Sequence, residues 1–177
     1  VRVIAVGTGK ALRMGEQGDV DLVMVHAKPA EEKFVAAGYG VERVELMYND
    51  FVLIGPKSDP AGLRALTDIN GVMRALAESE TIFLSRGDDS GTHKKELGLW
   101  KEAKVKPQTS HYRELGQGMG KTLQAANELQ AYTMIDRGTW LSYNDELDLD
   151  ILFQGVPPLF NQYALIKVSP QRYPDLN

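Results

Sequence analysis

Short runs of β-branched and other apolar residues alternate along this chain with stretches patterned for helices, and that alternation restricts it to few architectures. "VDLVMVH" (residues 20–26) is nearly all apolar, as a strand covered on both faces is. "FVLIGP" closes on Gly55-Pro56, and residues 81–84, residues 131–135, "LDILFQG" and "QYALIKV" read as further strands. Residues 1–6, rich in Val and Ile, read as a strand breaking on Gly7-Thr8-Gly9, with one or two helical turns over residues 10–15. "PAEEKFVAAG" carries Pro29 early, acids in the first turn and Gly38 as a stop. "SDPAGLRAL" reads as a turn and a helix start, residues 91–103 as a helix with Leu97, Trp100 and Ala103 on one face, and residues 122–129 as another. Asp136 caps a helix running through Trp140. The expected class is α/β, with one mainly parallel sheet or two.

With 177 residues, 43% of them hydrophobic and 25% charged, the chain can bury a core. A net charge of -4 leaves no broad basic field, which argues against a nucleic-acid surface and for any bound anion being gripped locally. There is no cysteine, so disulfides, thiolate metal sites and cysteine nucleophiles are excluded while the compartment stays open. His26, His93 and His111 lack metal-ligand spacing. No apolar run is long enough to span a membrane and no secretory signal is present. The chain opens on a strand-like segment and stops on "SPQRYPDLN", so it is expected to lack elements at both ends. No linker or internal repeat separates domains, and two lobes would share chain crossings.

The densest chemistry lies in "FLSRGDDSGTHKKELGLWK", residues 83–101. A strand delivers Arg86 past its carboxyl end, Gly87 and Gly91 let the backbone approach a ligand, and Ser90 and Thr92 add hydroxyls at a helix mouth. Burying a divalent anion costs several kcal/mol per charge, and each charge-assisted hydrogen bond returns roughly 1.5 to 3 kcal/mol. About half a dozen convergent donors can therefore hold one. The competing reading is that Asp89 or Ser90 caps the helix and Arg86 pairs with Asp88, and both stand. A carboxylate such as Asp88 repels an anion unless it is paired or the ligand brings a proton to it. Monohydrogen phosphate has such a proton; tungstate, molybdate and sulfate only accept.

Thr8, in Gly7-Thr8-Gly9, offers a second hydroxyl with exposed amides, and His26 and Ala27 either present backbone donors or form a connecting loop. "GQGMGKT" (residues 116–122) has three residues between Gly116 and Gly120 where a phosphate-binding P-loop needs four. It reads as a glycine-rich helix entry. In "DRGT", Arg137 is a candidate second cation.

Seven collinear segments, "VIAVGTGKALRMGEQGDVDLVMVHA", "EEKFVAAGYG", "MYNDFVLIGPKSDPAG", "SRGDDSGTHKKEL", "GQGMGKTLQAANE", "AYTMIDRGTWL" and "PLFNQYALI", together resemble the tungstate-binding proteins of ABC importers, relatives of the molybdate- and sulfate-binding proteins. The resemblance implies a type II periplasmic-binding-protein fold with two lobes joined by two hinge strands, "DFVLIG" and "QYALIK". Residues 1–54 with 161–177 would form an incomplete lobe one, and residues 55–160 lobe two. It implies an oxyanion, tungstate or molybdate, held between the lobes by Thr8, Arg86, Ser90, Gly91 and Thr92, with no other cofactor and no side chain ligating a metal directly. It further implies a monomer outside the cytoplasm, periplasmic or extracellular, anchored to the membrane if at all through a segment absent from this chain, and an ABC permease as partner. A phosphate receptor of the same fold, the oxyanion-sensing domain of a transcription regulator and a phosphoryl-transfer ATPase are the alternatives.

Overall fold

Four consecutive residues of the "FVLIGP" run are buried on both faces of a sheet, and this sets the layering around them. A computed structural model describes residues 1–176, and the chain in it divides into two units, Val1–Tyr48 with Asn161–Asn177 and Asn49–Phe160. Strand β2 (Gly40–Pro56) runs through the first crossing, and the second falls between Phe160 and Asn161. The first crossing comes at Tyr48 rather than the expected Ile54. The reason is pairing: Phe51, Val52, Leu53 and Ile54 are in antiparallel register with β5 (Tyr132–Asp136) and so belong with the second unit.

In the second unit, β6 (Leu149–Phe153) lies along one edge of β2 and β5 along the other. Beyond β5 come β3 (Phe83–Ser85) and β4 (Tyr112–Glu114), both parallel to it. Alternating side chains enter two cores. Phe51, Leu53, Phe83, Tyr132 and Met134 meet α3 (Ile69–Glu78) and α4 (Gly91–Glu102) on one face. Val52, Ile54, Leu84 and Ile135 meet α5 (Met119–Leu129) and α6 (Arg137–Tyr143) on the other. The unit is thus three layers thick. In the first unit, β1 (Leu22–Val25) pairs antiparallel with β7 (Phe160–Val168), and α1 (Thr8–Gln17) and α2 (Lys28–Ala36) cover one face through Leu12 and Phe34.

Four further expectations fail. The sheet is mixed, not mainly parallel, because β1, β2, β6 and β7 make antiparallel pairs; hydrophobic patterning reports burial and is blind to strand direction. Residues 1–6 form no strand and Val3 is 83% exposed, since strand preference is realised only where a neighbour pairs. Leu97 is 46% exposed, and Leu99 joins Trp100 and Ala103 in the core instead. The helix anticipated in "SDPAGLRAL" is only a 3-10 turn at Leu63–Ala65, and α3 begins later, where Asp68 accepts the Gly71 amide at 2.8 Å.

Gly55 shows how tightly the first of these cores is built. A Cβ there would lie 2.3 Å from the ring of Tyr132. That ring is fully buried, and its hydroxyl is held by the Ala61 amide, 2.8 Å away. Gly55→Ala should cost about 1–3 kcal/mol, as overpacking does, and urea unfolding should show an earlier midpoint at unchanged slope.

Candidate functional site

Strand β3 lies between β4 and β5, and all three run the same way. In such a sheet, ligands bind beyond the carboxyl ends of the strands. Arg86 is the first residue past that end. The chain then turns through Gly87 at φ 59 and Asp89 at φ 56, both left-handed, and enters α4 at Gly91. Only glycine fits the first of these positions, because a Cβ on Gly87 would stand 2.6 Å from the Cβ of Glu114.

The competing reading of the turn, a cap and an ion pair, is what the turn makes. Ser90 caps α4, its Oγ accepting the His93 amide at 3.2 Å, and Arg86 donates through Nη2 to Asp88 Oδ2. Capping uses a lone pair of the Ser90 oxygen, and its proton goes to the Asp88 carboxylate. The Ser90 carbonyl takes the Lys94 amide at 2.9 Å, so the amides of Gly91 and Thr92 are the ones left over in the first helical turn. Thr92 is buried, with its hydroxyl 3.5 Å from Arg86 Nη1, at the limit of a hydrogen bond. Arg86 Nε is buried and meets no acceptor in the protein, and an unmet buried donor costs about 1–3 kcal/mol. One guanidinium N–H, the Thr92 hydroxyl and two amides are therefore gathered at the amino end of a twelve-residue helix, whose dipole favours negative charge.

Asp88 neutralises this cluster from within. Its Oδ2 is taken by Arg86 and its Oδ1 by the Ser90 amide at 3.2 Å. Burial works against its charged form, but the Ser90 hydroxyl and amide and the Arg86 cation outweigh it and hold the carboxyl below its ordinary 3.8. Asp89 faces outward to Lys94 at 3.3 Å, and its amide donates to His93 Nδ1 at 3.1 Å. His93, expected at the surface or as packing, is thus a buried brace of the turn.

The other sequence candidates lie elsewhere. Arg137, at the end of β5, makes a two-pronged ion pair with Asp50 at 2.7 and 2.6 Å and also donates to Gln154 at 2.7 Å. Its guanidinium ties β2 to the loop after β6. In the first unit, Thr8 opens α1 with its Oγ1 buried and without a partner. The amide of Ala27 donates to the buried carboxylate of Glu31 at 2.6 Å and is not free. His26 bonds Asn161 at 3.0 Å and stacks on Tyr163. The glycine-rich segment before α5 does follow a strand, β4, which three residues were too few to announce. Among the described residues no group of three His, Asp or Glu could hold a metal ion, and no helix is long and apolar enough to cross a membrane.

A turn of donors thus stands at the mouth of a helix, on the parallel part of a mixed α/β sheet. The chain belongs to the PBP superfamily domain family, which matches residues 1–176. It is 51% identical to the tungstate-binding protein TupA of Peptoclostridium acidaminophilum over 99% of its own length and 62% of that protein's. It is also similar to two solved structures. For the tungstate-binding protein TupA of Desulfovibrio alaskensis G20, identity is 46% and the TM-score 0.91, covering 99% of this chain and 72% of that one. For the tungstate ABC transporter of Geobacter sulfurreducens, the figures are 52% and 0.83, covering 100% and 75%. The chain thus spans about three fifths of the curated relative's length.

The depressed Asp88 carboxyl has a consequence for acid stability. A group whose folded pKa lies below its unfolded one contributes stability above the unfolded value and loses it as pH falls through the folded one. The melting-temperature gap between wild type and Asp88→Asn should therefore be constant from neutral pH down to about 4 and shrink below it; a gap that widens on acidification contradicts the assignment.

Proposed function

We propose that this chain is the ligand-binding module of an extracytoplasmic receptor that delivers tungstate, or its near-twin molybdate, to an ABC importer. The carrying observation is the buried Arg86 Nε without an acceptor, set beside the Thr92 hydroxyl and the leftover amides of Gly91 and Thr92. An oxyanion with several acceptor oxygens and no proton satisfies all of them together. The relatives named for tungstate support the choice of ligand. Thr8, with its own unspent buried hydroxyl, is a further donor of the same kind.

Asp88 separates this reading from a phosphate receptor. A carboxylate that takes a proton from phosphate needs a lone pair turned to the ligand, whereas three of those on Asp88 already accept from the Arg86 guanidinium and from the Ser90 amide and hydroxyl. Binding alone accounts for the site: donors and a dipole hold an anion, and neither catalysis nor a cofactor is needed. The receptor works as a monomer, and an ABC permease takes its cargo.

Titration calorimetry with tungstate, molybdate, sulfate and phosphate tests the proposal. Tungstate should bind more tightly than phosphate, and the reverse order would transfer the site to the phosphate reading. Arg86→Ala should weaken tungstate binding by at least ~2 kcal/mol, about thirtyfold. An unchanged dissociation constant would remove Arg86 from the site. Thr8→Val tests the first unit's hydroxyl in the same way, with a smaller loss expected.

A further inference from the structure

Glu96 is a buried carboxylate that the anion-binding reading does not use. It sits on the second turn of α4 and is 3% exposed. Its Oε1 accepts from the Trp100 indole at 2.9 Å and the Tyr112 hydroxyl at 2.8 Å, and its Oε2 accepts from the Ser85 hydroxyl at 2.6 Å. Ser85, itself fully buried, in turn accepts the Gly87 amide at 3.3 Å. The two residues that flank Arg86 in the chain are therefore tied, one through the other, to a single carboxylate. The Arg86 carbonyl is held separately by the Gln117 amide at 3.2 Å.

This arrangement is costly as a piece of core. Burying a charge is expensive unless it is paired and hydrogen-bonded, and the partners that reach the Glu96 oxygens are neutral donors. A negative charge hydrogen-bonded to the residue before Arg86 also opposes an incoming anion. Burial pushes the Glu96 carboxyl up, against the Ser85, Trp100 and Tyr112 hydrogen bonds and the nearby His93. What the carboxylate provides in exchange is direction. By taking the Ser85 proton it leaves only lone pairs of that oxygen for Gly87, and this fixes the left-handed turn from which the Arg86 side chain departs.

Resting on the tungstate reading of the site, we propose that Glu96, through Ser85, is the positioning residue that aims Arg86 and the Gly87 turn at the oxyanion. Electrostatics and positioning predict opposite signs for one substitution. In Glu96→Gln the negative charge is gone, which by itself tightens anion binding. But the amide can offer only one oxygen, and the Trp100 and Tyr112 donors both demand it. The NH2 is left facing Ser85 and turns its hydroxyl round. Under the proposal Glu96→Gln weakens tungstate binding at least tenfold in calorimetry at neutral pH, with the stoichiometry of the folded protein preserved. Ser85→Ala, which keeps the charge, weakens it comparably, and the double variant is no worse than the weaker-binding single. Should Glu96→Gln fail to fold, Ser85→Ala decides alone. Tungstate binding that is unchanged or tighter in Glu96→Gln, even with a lowered melting temperature, overturns the proposal. If wild type binds tungstate and Arg86→Ala loses it, such a result removes the role of Glu96 alone; if wild type binds no tungstate, or Arg86→Ala binds it as wild type does, the reading of the whole site falls and this proposal with it.

Discussion

A guanidinium held mostly out of water must be answered by acceptors, and the surroundings of Arg86 follow from that demand. Asp88 supplies one acceptor and Thr92 a marginal second, while Nε is left over. Placing these groups together requires two left-handed residues, one on each side of Asp88. It also requires a helix that starts at once with a serine cap and a strand end that cannot drift. A longer strand or a later helix would carry Asp88 and Ser90 out of reach.

The second unit is built to keep that strand end still. Strand β3 has only three residues, too few to be stable alone, but it is flanked on both sides and sealed by separate apolar layers. Trp100 and Tyr112 carry this through to the site. Their rings pack on Phe83 within the core, at 5.4 and 6.0 Å between centroids, while their polar atoms hold Glu96. Packing and polar geometry are here properties of the same side chains, so the donors of the turn inherit the rigidity of the core instead of the mobility of a surface loop.

Much of this was legible residue by residue. The strand, turn and helix around Arg86 could be read because each depends on neighbours in the chain: an apolar run, glycine where a side chain would clash, serine where a helix begins. Ser90 is cap and donor together, because its hydroxyl accepts the His93 amide while its proton goes to Asp88. Arg137 was harder. As a lone cation after a strand it looks available, and only the return of a strand 87 residues away brings Asp50 against it. Glu96 reads as one more charge on an amphipathic helix until β4 presents Tyr112, and β4 is too short to carry a pattern. Ala27 looks like an exposed amide until α2 folds Glu31 back onto it.

Taken by itself, the order of residues determined the α/β class, the positions of most helices, and a cluster of hydrogen-bond donors centred on Arg86, because all of these rest on contacts within a few positions along the chain. Strand direction, the crossing at Tyr48, the commitment of Arg137 and the buried seat of Glu96 were decided only by tertiary structure. Each depends on which distant backbone or side chain arrives beside it, and local periodicity carries no record of that.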